Sequence, residues 1–327
     1  MSLTIGAPRE SPPSEGPPGG SPPRAARRSG RWGALLRGTL GWIAGAALCL
    51  SALTAALAQG WLQTRARAWA GAAARRRDAA PAWAVEGAPR GVASAAVRIA
   101  SEGAQASAAL FLGALPFTAL MLGSWWAGWE NSFNKGYEQS WVGPSLGLLA
   151  AALALPLLAR MPLALTHLAV ERRFGAFFER RAVGRLMAAA GWEHVALSAA
   201  FVIAALPLLA AKGLPVFVEQ ISPDLDLTDP EAVAAFTRGW RLGAALYLFA
   251  ALWALRCWTA RLYARARLRV EQGAPTRLIG RLLRTALCWA VWFGLVAQIY
   301  VGQFFNHRWV DWLNPPLLGL PVAPVLG

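Results

Sequence analysis

Two arginines set inside apolar runs, Arg160 and Arg256, are the residues best placed to do chemistry. A charge within hydrocarbon is costly and persists where it lines a route for solute, meets a counter-ion or snorkels to the surface. Arg160 stands between Pro156 and Pro162, and prolines at such positions kink a helix or break it around a cavity. Both arginines lie near a basic end of their runs, so snorkelling is the competing account. No carboxylate stands at the middle of any run, so proton- or sodium-coupled transport has no visible engine.

A second set of cations lies in two basic connectors, 166–190 and 261–284. Arg172, Arg173, Arg180, Arg181 and Arg185 in the first, with Arg265, Arg267 and Arg269 in the second, are candidate contacts for anionic lipid headgroups. Retention of positive loops on the cytoplasmic side accounts for the same charges without any ligand. Read as one continuous helix, the first connector puts Val170, Phe174, Phe177 and Phe178 on one face and Arg172, Arg173, Glu179 and Arg180 opposite. That spacing predicts an amphipathic helix resting in the interface, with Arg181 and Arg185 on its apolar side.

Other patterns are weaker. Gly143-Pro144-Ser145-Leu146-Gly147 has the spacing of a nucleophile elbow, which works only on a strand-to-helix turn. Here it opens an apolar helix. His167, His194 and His307 sit at span ends, far apart in sequence. Asp224, Asp226 and Asp229 lack the glycine and distal glutamate of a calcium loop. In the same loop Thr228 reads as a helix cap, with Pro230 early in the helix and Glu231 answering as a capping box. Cys49, Cys257 and Cys288 form no Cys-x-x-Cys pair. No catalytic constellation, metal site or cofactor site is expected.

The elements that position these residues are apolar runs. The chain is 56% hydrophobic and 15% charged, against about a quarter charged in a soluble domain. Its charges cluster between runs long enough to cross a bilayer, which takes roughly 20 residues. We expect an all-α polytopic integral membrane protein with five to six transmembrane helices and two basic amphipathic interfacial connectors. The spans fall near 38–58, 106–128, 145–165, 195–218, 240–260 and 285–305. Trp125, Trp126, Trp129 and Trp141 flank the 129–143 loop as interfacial anchors. A ligand role for Glu130, Asn131, Asn134 and Glu138 is the sharper reading of that loop. Residues 1–30, rich in Pro, Gly and Ser, read as a disordered tail ahead of a helical membrane domain, 31–327.

The net charge of +15 is almost wholly arginine, with lysine only at Lys135 and Lys212. Its placement between spans favours the positive-inside rule over nucleic-acid binding. Both basic connectors then face the cytoplasm of a bacterial inner membrane. One conflict arises. Arginines flank the 38–58 run on both sides, so it cannot cross once and keep both ends inside. Either it is a re-entrant or interfacial hairpin, or the N-terminus is outside; segment 63–104 then reads as one or two surface helices. Gly41 and Gly45 in this run offer a close-packing face.

The expected function is a non-enzymatic accessory, scaffold or regulatory membrane component. The alternative is a permease or small-solute transport component, and a third reading is a lipid-handling enzyme. The expected partners are the bilayer with its anionic lipids, and a membrane protein or a second copy of the chain.

Overall fold

The computed structural model describes residues 39–77, 83, 91–133, 141–213, 222, 224–226, 228–273, 278–306 and 314–323. The 1–30 tail, Asn134, Glu138 and His307 lie outside these residues, as do the side chains of Trp129, Glu130 and Asn131. The chain divides into two units, Met1–Gly41 and Trp42–Gly327. Of the first, only residues 39–41 are described, as the opening turn of a helix.

The elements in order are α1 (Thr39–Leu48), α2 (Ala52–Arg75), α3 (Val92–Phe133), α4 (Val142–Glu171), a 3₁₀ turn (Phe174–Phe178), α5 (Arg180–Ala190), α6 (Trp192–Gly213), α7 (Pro230–Glu271) and α8 (Leu278–Asn306). No strand occurs among the described residues. Among the described residues five helices, α3, α4, α6, α7 and α8, are long and apolar enough to cross a membrane. The chain is an all-α, multi-pass membrane protein. The C-terminal ends of α4 and α7 and the N-terminal ends of α6 and α8 share one basic end of the bundle.

The 38–58 run is not one helix. It breaks at residues 49–51. A Cβ at Gly45 would lie 2.1 Å from the Phe249 ring and 2.5 Å from the Trp61 ring, and Trp61 itself stacks on Phe249 at 5.5 Å. Residues 42–48 and α2 therefore lie against the same part of α7 with a turn between them, as a helical hairpin. Arg241 closes the turn by donating to the Leu50 carbonyl, and the Ala323 amide donates to the Cys49 carbonyl at 2.8 Å.

Segment 63–104 departs from the expected surface helices. Its first part continues α2, and its last part begins α3. These two helices meet backbone to backbone. A Cβ at Gly60 would lie 1.8 Å from the Ile99 carbonyl oxygen, and one at Gly103 would lie 2.0 Å from the Ala56 oxygen. Only residues without side chains permit that approach. The crossing buries Arg67, which pairs with Glu102 at 2.7 Å.

The first basic connector is not one amphipathic helix. α4 continues to Glu171 and ends on Arg172, whose left-handed φ of 55° halts it. A side chain in that conformation costs about 1 kcal/mol that glycine avoids. The 3₁₀ turn follows, and α5 starts a new register at Arg180. Phe177 packs onto α3 where Gly113 leaves room, a Cβ there lying 2.8 Å from its ring. Phe174 and Phe178 stay half exposed. Because the register restarts, Arg181 and Arg185 point outward with Arg180, while Val183, Leu186 and Ala190 face the core.

The second basic connector is largely helix. α7 runs through Arg265, Arg267 and Arg269 to Glu271. At its other end the cap is Asp229, not Thr228. The Asp229 carboxylate accepts from the Glu231 amide at 2.9 Å, with Pro230 in the first helical position. Thr228 lies one step earlier and donates to Asp226 instead, through its hydroxyl at 2.6 Å.

Candidate functional site

Ser145 falls in the first turn of α4, its amide donating to the Trp141 carbonyl, so the Gly-x-Ser-x-Gly pattern sits on a helix and not on an elbow. Trp126 and Trp141 are exposed and Trp125 is half-buried, near the point where Ser124 donates to the Gly143 carbonyl at 2.6 Å. Among the described residues no group of three His, Cys, Asp or Glu converges. Arg256 does not snorkel. It is 2% exposed, on the same buried face of α7 as Leu252, Thr259 and Tyr263.

The structure divides the candidate headgroup arginines into two classes. Those of α7 are engaged internally. Arg265 pairs with Glu193 of α6 at 2.9 Å. Arg269 donates to the Ala189 carbonyl at 2.9 Å, capping α5. Arg267 bridges Glu171 at 2.5 Å and Glu271 at 3.2 Å, and it lies 4.7 Å over the Trp83 ring. Each of these three is thus held at the bundle end by a carboxylate or a carbonyl. Arg173 is likewise paired, with Glu179 at 2.8 Å.

Arg267 also begins a directional hydrogen-bond chain. It donates to the Tyr263 hydroxyl at 2.9 Å. Tyr263 meets His167 Nδ1 at 2.9 Å, and His167 Nε2 meets Glu179 at 3.0 Å. A guanidinium only donates and a carboxylate only accepts. With a neutral ring, Tyr263 therefore donates to Nδ1, and the Nε2 proton points to Glu179. The chain joins α7, α4 and the 3₁₀ turn, and it fixes the residue just before α5.

Hydrogen bonds from His167 and then Arg173 hold the Glu179 carboxyl below the ordinary carboxylate range. A pKa lowered by folding adds stability above the unfolded value of about 4.3 and loses it as pH falls through the folded value. We expect Tm to drop below about pH 4 in the wild type. In Glu179→Gln this acid limb should be flatter; an unchanged Tm–pH profile would remove Glu179 from the account.

Arg180, Arg181 and Arg185 belong to the second class. Their side chains have no hydrogen bond or ion pair among the described residues. With Arg160 of α4 and with Arg281 and Arg284 of α8 they surround a cleft between α4, α5, α6 and α8. The main cavity, about 400 Å³, is lined by Arg160, Arg180, Arg281, Arg284 and His194, together with Leu153, Pro156, Met187, Cys288 and Trp289. A neighbouring cavity of about 940 Å³ shares Arg180, Gly184, Ala188 and Arg281 with it and adds Arg181 and Arg185, with Val270 and Gly273 at the end of α7. No described lining residue is acidic. Leu153 and Trp289 are 47% and 41% exposed, so the apolar wall is open on its flank. Arg160 is half-buried and steadied by its own helix, Nε donating to the Pro156 carbonyl at 3.0 Å. Arg281 and Arg284, one turn apart at the start of α8, are the site residues that sequence reasoning did not single out.

Gly184 lines both cavities, and a Cβ there meets nothing within 4 Å. Gly184→Ala should therefore stabilise α5 by about 0.5–1 kcal/mol. Gly184→Trp should close the mouth without unfolding the protein. Thermal unfolding checks the first, and lipid retention checks the second.

The fold and site define a multi-pass helical membrane protein with an arginine-lined cleft at one end. No family model, curated protein or solved structure matches the chain.

Proposed function

We propose that this protein is a non-enzymatic membrane component, of the accessory or regulatory kind, that seats the anionic headgroup of a lipid in its arginine cleft. One observation carries the reading: arginines from α4, α5 and α8 line one cleft with no described carboxylate among them. Gathered like charges are unfavourable until an anion enters. The contrast with Arg265, Arg267 and Arg269, each given an internal partner, supports a partner from outside for this cleft. Leu153, Pro156 and Trp289 offer an acyl chain an apolar wall. The same reading puts the protein in a bacterial cytoplasmic membrane with the basic end facing the cytoplasm, supported by the arginine excess there.

The test is titration of the purified protein with short-chain phosphatidylglycerol and, separately, phosphatidylcholine. Saturable preference for the anionic lipid, lost in Arg180→Gln/Arg281→Gln, is expected. Equal binding of both lipids, or an unaffected double variant, would overturn the proposal. A pull-down from native membranes in mild detergent reads the accessory role separately, through a stoichiometric protein partner. The permease reading keeps one supporting observation, that Arg160 and Pro156 line the cleft within α4. Equal solute flux in vesicles with and without the protein would set it aside.

A further inference from the structure

We propose that a second, smaller cavity, between α2, α3 and the end of α4, binds a small oxyanion, a carboxylate or phosphate group with few carbons attached. The cavity holds about 300 Å³ and is lined by Gln63, Arg67, Arg98, Glu102, Gln105 and Arg172, among others. It shares no lining residue with the arginine cleft.

The donor and acceptor inventory of the cavity is lopsided. Its one carboxylate is already engaged. Glu102 accepts from Arg67 at 2.7 Å through one oxygen and from Thr64 at 3.0 Å through the other. Arg67 also gives its Nε proton to the Ala169 carbonyl at 2.6 Å. Gln63 remains. It is 3% exposed, and its amide nitrogen has no hydrogen-bond partner. A buried amide N–H calls for an oxygen. Arg172 adds an exposed guanidinium at the rim, and Arg98 a further positive charge. A group that brings oxygens and negative charge completes this set; a cation or an apolar molecule does not.

Two further features agree. Gln59 lies one turn from Gln63 on the same face of α2, is fully buried, and has neither amide atom bonded. Gln59, Gln63 and Arg67, spaced at four residues, make a polar seam along a helix whose other buried positions are alanine, glycine and leucine. At the rim, the chain keeps an arginine in the left-handed position that ends α4, where glycine would be the undemanding choice. The side chain of Arg172 thus lines the cavity from a backbone conformation that glycine prefers.

The experiment uses the full chain in detergent and in lipid nanodiscs. Inorganic phosphate and succinate are titrated calorimetrically in detergent, and phosphatidic acid is titrated into the nanodiscs. Saturable binding of phosphate or succinate, weakened at least tenfold in Gln63→Met and in Arg172→Gly, is expected if the ligand is soluble. Binding of phosphatidic acid alone with the same two losses would support the site with a lipid headgroup as its source. Arg172→Gly suits the left-handed backbone and should fold normally, so its result stands even if Gln63→Met is unstable. Absence of saturable binding for all three probes, or binding unchanged in Arg172→Gly, would overturn the proposal.

Discussion

The Arg180→Gln/Arg281→Gln double variant is expected to bind short-chain phosphatidylglycerol about thirtyfold more weakly than the wild type. Each arginine near a headgroup contributes on the order of 1 kcal/mol, and each 1.4 kcal/mol is a factor of ten. Both side chains are exposed and shared by the two cavities. Their effect should therefore shrink as salt shortens the Debye length below about 8 Å. Arg269→Gln is the comparison. That guanidinium caps α5 through the Ala189 carbonyl and lines neither cavity. It should lower Tm while leaving lipid affinity near the wild-type value. If Arg269→Gln weakened lipid binding as much as the double variant, general surface charge and not the cleft would be responsible.

Gly60→Ala should be the most destabilising single methyl in the bundle. The added carbon would sit 1.8 Å from the Ile99 carbonyl oxygen and 2.7 Å from the Gly103 nitrogen. Both are backbone atoms, so no side chain can turn aside. The helices must separate by more than 1 Å, which draws Arg67 away from Glu102. Overpacking of this kind costs about 3 kcal/mol or more, a fall in Tm on the order of 10 °C. Gly103→Ala should act alike, and the pair should be less than additive, because one separation serves both. A Tm within about 2 °C of the wild type for Gly60→Ala would show that α2 and α3 do not cross backbone to backbone.

The helical membrane class and the five spans were legible because hydropathy over some twenty residues depends on lipid alone, whatever the neighbouring helices are. For the 38–58 run the arginines on both sides pointed to a hairpin as one of two alternatives, but hydropathy does not register the break at residues 49–51. The first connector misled for a sharper reason. A single residue, Arg172, takes φ 55° and resets the helical phase, so the face assigned to Arg181 and Arg185 was the wrong one. Nothing in residue type announces a left-handed arginine. The partners Glu193, Glu171 and the Ala189 carbonyl of Arg265, Arg267 and Arg269 come from other parts of the chain, so no local spacing announces them. Gln59, Gln63 and Arg67 did leave a signal, polar residues every fourth position in an alanine-rich stretch. Gly60 left less, since its partner Gly103 is named only by the fold.

The cleft has its arginines at one end of the bundle, on α5 and the first turns of α8, with Arg160 in the C-terminal half of α4. On the proposed reading, a lipid seated there would be drawn from a single leaflet. The protein would then distinguish two surfaces of the membrane that share the same hydrocarbon. Changing the lipid composition of one leaflet should alter its occupancy, while the same change made in the other leaflet should pass unnoticed.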